Sequence, residues 1–177
     1  RQMIAAGDWD HLLTKIPVKA GDFFYVPSGT MHAIGKGIMI LETQQSSDTT
    51  YRVYDFDRKD DQGRKRALHI EQSIDVLTIG KPANATPAWL SLQGLETTVL
   101  VSSPFFTVYK WQISGSVKMQ QTAPYLLVSV LAGQGRITVG LEQYALRKGD
   151  HLILPNTIKS WQFDGDLEII ASHSNEC

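Results

Sequence analysis

The sequence predicts a mainly β protein, a sandwich or jelly roll of short strands. Three observations carry this. Short apolar stretches alternate with polar residues at a period of two, as where Tyr109, Trp111 and Ile113 alternate with Lys110 and Gln112. Gly and Pro punctuate them at Gly21-Asp22, Pro27-Ser28-Gly29, Gly133-Gln134-Gly135 and Gly149-Asp150. One unit occurs twice: GDFFYVPSGTMHAIGK (21–36) returns at a shift of 128 as GDHLILPNTIKSWQFD (149–164), with Gly-Asp, an apolar strand and Pro in register.

Taken in order, residues 3–13 read as the end of one helix and a short second one. Strands follow at Ile16–Lys19, Phe23–Val26, Ile38–Gln44 and Thr49–Tyr54. Residues 68–78 space Leu68, Ile70, Ile74 and Leu77 as a helix would. The stretch 81–96, with Pro82, Pro87 and Gly94, reads as a linker. Strands resume at Thr98–Val101, Phe105–Ile113, Tyr125–Leu131, Arg136–Val139, His151–Leu154, Ile158–Phe163 and Leu167–Ala171. Together with the repeat they predict two barrel-like modules, the first over 1–80 and the second over 97–177.

Composition narrows the function classes. In 177 residues, 17 Lys and Arg face 18 Asp and Glu, for a formal charge of −1. A nucleic-acid or anionic-membrane surface needs a concentrated basic footprint, so neither partner is expected. No apolar run approaches the roughly 20 residues of a membrane helix. The single cysteine, Cys177, rules out a disulfide within the chain. That fits a reducing compartment, and a cytoplasmic location is expected.

The repeated unit also carries chemistry. In Gly21-x5-Pro27-x-Gly29-x2-His32, a tight turn leads into an apolar strand, Pro27 and Gly29 bend the chain, and His32 opens the next strand on the barrel's inner side. A neutral imidazole there suits zinc, manganese, iron or nickel. A lone structural histidine in a turn is the competing reading. The spacing resembles the second conserved motif of the cupin superfamily, whose histidine ligates a metal; the usual closing Asn is Lys36 here. In the second copy, the position of His32 is taken by Ser160, a poor ligand, and that module is expected to lack a metal. His11, His69, His151 and His173 are scattered, without a partner at ligand spacing; Glu42 follows His32 on the next strand.

The segment from Glu42 to Arg58, with Asp48-Thr-Thr-Tyr51-Arg52 and Tyr54-Asp55-Phe-Asp57, sharpens the resemblance. With VPSGTMHAIGKGIMI before it and RALHIEQSIDVL after it, it resembles the short bacterial type I mannose-6-phosphate isomerases, strongly over 7–80 and more loosely over 97–177. The resemblance implies a cupin, or double-stranded β-helix jelly roll, with one complete C-terminal barrel and the C-terminal part of a preceding one. It implies an isomerase of mannose 6-phosphate and fructose 6-phosphate, using one zinc. His32 matches the last metal ligand and Arg52 the active-site arginine. The other ligands, a His, a Glu and in some members a Gln, fall in an N-terminal region this chain does not contain, so the chain alone is expected to be inactive.

Arg52 stays protonated at neutral pH, so its role would be electrostatic. On spacing alone it reads rather as a surface strand residue paired with Asp48 or Asp55, and the resemblance reverses that preference. A sugar phosphate needs cations, and Lys36, Arg58 and Lys59 are candidates on position. The charged run 57–66 otherwise reads as a solvated loop. Gln44, alternating with Glu42, is a candidate contact to sugar or metal-bound water. An open half-barrel over 1–80 would expose strand edges, and is expected to dock on the second barrel or pair with another copy. A non-enzymatic double cupin that binds a sugar, or serves structure alone, is the rival reading.

Overall fold

The computed structural model describes residues 1–80 and 87–175. The chain divides into two compact units, Arg1–Leu41 with Ser46–Asn84, and Glu42–Gln45 with Ala85–Cys177.

The second unit is one antiparallel sheet of seven strands: β1 (Ala88–Leu92), β2 (Leu95–Ser102), β3 (Phe106–Gln120), β4 (Tyr125–Val139), β5 (Glu142–Arg147), β6 (His151–Pro155) and β7 (Ser160–Ser174). The strand order is β1-β2-β3-β7-β4-β5, with β6 also paired to β4. β7 therefore lies between β3 and β4, from Phe106↔Ser174 to Gln120↔Ser160 on one side and along Leu127–Thr138 on the other.

Alternation selects the buried face. On β7, Trp161, Phe163, Leu167, Ile169 and Ala171 are buried. They meet Trp111, Ile113 and Val117 of β3 in one core. On β4 the buried positions are even-numbered at Leu126, Val128 and Val130 but odd at Ile137. The register shift between Val130 and Ala132 accounts for the switch: one extra residue exchanges the two faces of a strand.

Four of the expected strands prove to be two. The Gly133–Gly135 stretch does not end β4, and Gly165 does not end β7. Gly115, Gly165 and Gly135 instead stand side by side across β3, β7 and β4. A Cβ on Gly165 would sit 2.6 Å from the Gln134 carbonyl oxygen, closer than real contacts allow. The strands pass too near one another here for side chains. β5 was not anticipated, and β1 lies inside the stretch expected as linker, of which 81–86 fall outside the described residues.

At one end of β3 and β7, Tyr109 and His173 share a hydrogen bond of 3.1 Å. His173 Nδ1 faces the Ser174 carbonyl at 2.9 Å and must donate to it. Nε2 is then the acceptor for the tyrosine hydroxyl. Partial burial raises the Tyr109 pKa and keeps that hydroxyl protonated.

The first unit holds α1 (Gln2–Ala6), α2 (Trp9–Leu12) and α3 (Ile70–Asp75), close to the helical expectations. The strands expected at 16–19, 23–26, 38–44 and 49–54 do not form ladders among the described residues. Their alternation is real, but a strand exists only through a hydrogen-bonded neighbour. Their apolar side chains stay open: Phe24 and Ile40 are half exposed and Met39 is 97% exposed, and Ile34, between the second and third of these segments, is half exposed as well.

The internal repeat is nonetheless conformational as well as sequential. Gly21 and Gly149 have φ of 92° and 93°. Asp22 N–H donates to the Lys19 carbonyl at 3.2 Å, and Asp150 N–H to that of Arg147 at 3.1 Å. The aspartate side chains accept in return from Lys19 N–H (3.0 Å) and Arg147 N–H (2.8 Å). Thr30 and Ile158 close the following turns onto Pro27 and Pro155. The two copies share their turns, while only the second copy's strand finds a partner in a sheet.

Candidate functional site

His32 follows the Ser28-Gly29 turn. A Cβ on Gly29 would lie 2.5 Å from the Val76 carbonyl oxygen, and Thr78 N–H donates to the Gly29 carbonyl at 2.9 Å. Only glycine lets the turn close on the chain leaving α3. His32 Nδ1 lies 2.9 Å from the Thr30 carbonyl oxygen, which can only accept. The ring is therefore the Nδ1–H tautomer, with the Nε2 lone pair available. Metal-ligating histidines commonly hold their second nitrogen this way. His32 fits as one metal ligand. Among the described residues, no group of three or more His, Cys, Asp or Glu comes together as a metal centre, so His32 stands there as a single candidate ligand.

Arg52 is held from two directions. His69 N–H donates to its carbonyl at 2.7 Å, and its own N–H donates to His69 Nδ1 at 3.2 Å. Its side chain is only 23% exposed, with Nη1 3.4 Å from the Ala67 carbonyl and Nε 3.9 Å from Asp55 Oδ1.

Asp55 is the centre the sequence reading missed as such. It is the one charged residue buried among the described residues, and three guanidiniums surround it. Arg58 Nη2 donates to Oδ1 at 2.8 Å and Arg66 Nε to Oδ2 at 2.8 Å; Arg66 Nη2 also bonds Oδ1. The Arg66 hydrogen bonds, then those of Arg58, hold the Asp55 carboxyl down to about 2 from an ordinary 3.8, against the opposing effect of burial.

Local turns bring these groups together. Phe56 and Asp57 both adopt positive φ, 53° and 54°, so that Arg58 N–H reaches back to the Asp55 carbonyl at 3.0 Å. Two such residues without glycine are a strained choice. The Arg58 guanidinium also lies over the Phe56 ring, 5.8 Å from its centroid. Residues 57–66 then fold back as a small ribbon: Lys59 bridges Lys65, Lys65 pairs with Asp57, and Asp60 accepts from Arg64 and Gln62. The run expected as a solvated loop is an ordered hairpin that delivers Arg58 and Arg66 to one carboxylate.

The structure thus joins Arg52 and Arg58 through Asp55. Lys36 stands exposed beside the turn at Gly37. Gln44 and Glu42 are exposed and belong to the second unit's residues. Asp55 was legible as one possible partner of Arg52; Arg66 and His69 carried no signal of their place, since four arginines and four aspartates crowd residues 52–66.

A family model described as mannose-6-phosphate isomerase, cupin domain, matches residues 96–174. This chain resembles mannose-6-phosphate isomerases along almost its whole length. It is 49% identical over 172 residues to mannose-6-phosphate isomerase ManA of Bacillus subtilis (strain 168), covering 97% of this chain. It is also 49% identical over 174 residues to the probable mannose-6-phosphate isomerase GmuF of the same organism. The crystal structure of the mannose 6-phosphate isomerase from Bacillus subtilis superposes with a TM-score of 0.91 at 42% identity over 97% of the chain. The mainly β, antiparallel fold is therefore similar to that of the cupin-fold mannose 6-phosphate isomerase from Bacillus subtilis. The chain spans about 55% of the length of each of these relatives.

Proposed function

We propose that this chain is the C-terminal part of an enzyme interconverting mannose 6-phosphate and fructose 6-phosphate, and is inactive or nearly so by itself. The similarity to mannose-6-phosphate isomerases over 97% of the chain carries the reading. In this reaction a proton leaves C2 of the open-chain aldose and one arrives at C1, while O2 gives up its proton and O1 gains one, through an enediol. Negative charge grows on O1 and O2. Arg52 is the chain's contribution there: a permanently cationic fork with most of its donors unspent, held to a fixed backbone by His69. Lys36, Arg58 and Gln44 remain the candidate contacts to the sugar phosphate.

His32 would give its Nε2 to a zinc whose other ligands come from outside this chain. A zinc so held supplies Lewis-acid stabilisation of the same charge. The balanced charge and lone cysteine suit an enzyme of the reducing cytoplasm.

The test is made on the chain extended to the full length of its relatives. Stoichiometric zinc that is lost in His32→Ala, with fructose 6-phosphate formation lost alongside it, supports the reading. Substantial turnover by the 177-residue chain with added zinc would overturn the assignment of the remaining ligands to another region. Sugar binding without metal or turnover would favour a binding module instead.

A further inference from the structure

The arrangement around Asp55 is unusual in its stoichiometry. One buried carboxylate, 7% exposed, faces three guanidiniums of unequal exposure: Arg52 at 23%, Arg66 at 50% and Arg58 at 63%. The two outer arginines take both carboxylate oxygens at hydrogen-bond range. The inner one stays 3.9 Å away, beyond a hydrogen bond but well within Coulomb range. An Arg–Asp pair left to itself closes into a bidentate fork in which the cation's donors are consumed. Here Arg58 and Arg66 already make three hydrogen bonds to the carboxylate, two of them at Oδ1, the oxygen nearest Arg52 Nε. The backbone of Phe56 and Asp57 is strained into the turn that brings Arg58 there.

We propose that Asp55 is the positioning residue for Arg52: its carboxylate aims the Arg52 guanidinium, and Arg58 and Arg66 occupy its oxygens so that the Arg52 donors not given to the Ala67 carbonyl stay free for an anion. The cluster keeps a net positive charge while its innermost cation is oriented rather than neutralised. This rests on the reading of Arg52 as the group facing the developing enediol charge. It assigns Arg58 a second task, holding Asp55, in place of or beside contact with the sugar phosphate.

Two measurements test it. In the 177-residue chain, the Arg52 Nε–H resonance, assigned by its loss in Arg52→Lys, is expected to be resolved and slow to exchange. In Asp55→Asn it should exchange about tenfold faster or more, as expected when a buried ionic partner is removed. In the chain extended to its relatives' length, Asp55→Asn should lower kcat by about 10- to 100-fold, the scale of a misplaced catalytic group, with a much smaller change in KM. Asp55→Glu should recover part of it. Added to Arg52→Ala, Asp55→Asn should lower kcat no further. Full additivity in the double variant would overturn the proposal, as would an unchanged Arg52 resonance. If Asp55→Asn does not fold, Arg66→Gln replaces it: with one oxygen freed, Asp55 should close on Arg52, and the loss of kcat should again vanish in the Arg52→Ala background. An Arg52→Ala enzyme with full turnover would refute the reading of Arg52 instead, leaving the resonance to decide whether Asp55 aims it.

Discussion

Arg52 and His69, seventeen residues apart, hold one another by paired hydrogen bonds, the His69 amide to the Arg52 carbonyl and the Arg52 amide to the His69 ring. The second bond fixes the ring with Nδ1 as acceptor, hence as the neutral Nε2–H tautomer. A contact so local in space and so remote in sequence makes the arginine's backbone direction depend on the segment that starts α3.

His69→Ala is therefore expected to leave a part-buried backbone donor at Arg52 without its partner and to cost about 1 kcal/mol of stability in the first unit. His69→Asn, whose amide oxygen can accept, should cost less. Chemical denaturation followed by the fluorescence of Trp9, which packs on Tyr54 at 5.2 Å, reads the difference. Equal losses in the two variants would show that the hydrogen bond is not what His69 contributes.

Acid should loosen the same unit. The Asp55 carboxyl lies near 2 when folded and near 3.8 when unfolded, so the unfolded chain binds more protons in between. The stabilisation is full above about pH 4 and disappears as the pH falls through 2. Asp57 and Asp60 are lowered too, by Lys65 and by the Arg64 amide, and add to the slope. Asp55→Asn should flatten part of the acid limb between these values while lowering stability at neutral pH. An acid limb identical to that of the unaltered chain would contradict the role given to this ion cluster.

In the second unit, Phe163→Ala removes a fully buried ring set among Trp111 and Trp161, at 6.4 and 6.5 Å between centroids. A loss of about 3–5 kcal/mol is expected from denaturant titration. Gly165→Ala should cost about 3 kcal/mol although it adds one methyl, because the Cβ meets the neighbouring strand at 2.6 Å and φ is 125°. Tyr109→Phe should cost only about 1 kcal/mol, the worth of the bond to His173. A ranking that placed Tyr109→Phe above Gly165→Ala would mean that the glycine row tolerates side chains.

The open apolar side chains of the first unit give a prediction about association. With Phe24, Ile34, Met39 and Ile40 exposed and no ladder along the segments that carry them, the 177-residue chain is expected to self-associate with increasing concentration. The association should vanish when the chain is extended to its relatives' length. Sedimentation velocity across a dilution series distinguishes this from a monomer at every concentration, the outcome that would refute it.

The second unit's sheet was readable because its information is local to each strand. The alternation of Trp161, Phe163, Leu167 and Ile169 announces a buried face whichever strands lie beside it. β5 escaped because Glu-Gln-Tyr-Ala-Leu-Arg buries only Leu146 and so lacks the pattern. The same pattern misled in the first unit, where the Phe23–Val26 and Thr49–Tyr54 segments carry strand-like sequence without a ladder. His32 and Arg52 were found through motifs. Asp55 was not, because a run such as DRKDDQGRKR is written alike whether it is solvated or folded around a carboxylate. Only the turn bridged at Lys59 and Lys65 decides which arginines reach Asp55.

The place of β7 between β3 and β4 has a consequence for synthesis. It is the last of the seven strands to leave the ribosome, and it is the one that joins the two halves of the sheet. Until it emerges, β1–β3 and β4–β6 are separate hairpin sets with their apolar faces unmatched. The pairing of Phe106 with Ser174 must close a long loop before any contact rewards it. The sheet accordingly cannot be completed before β7 emerges, and its nascent form exposes most hydrophobic surface just before that strand pairs.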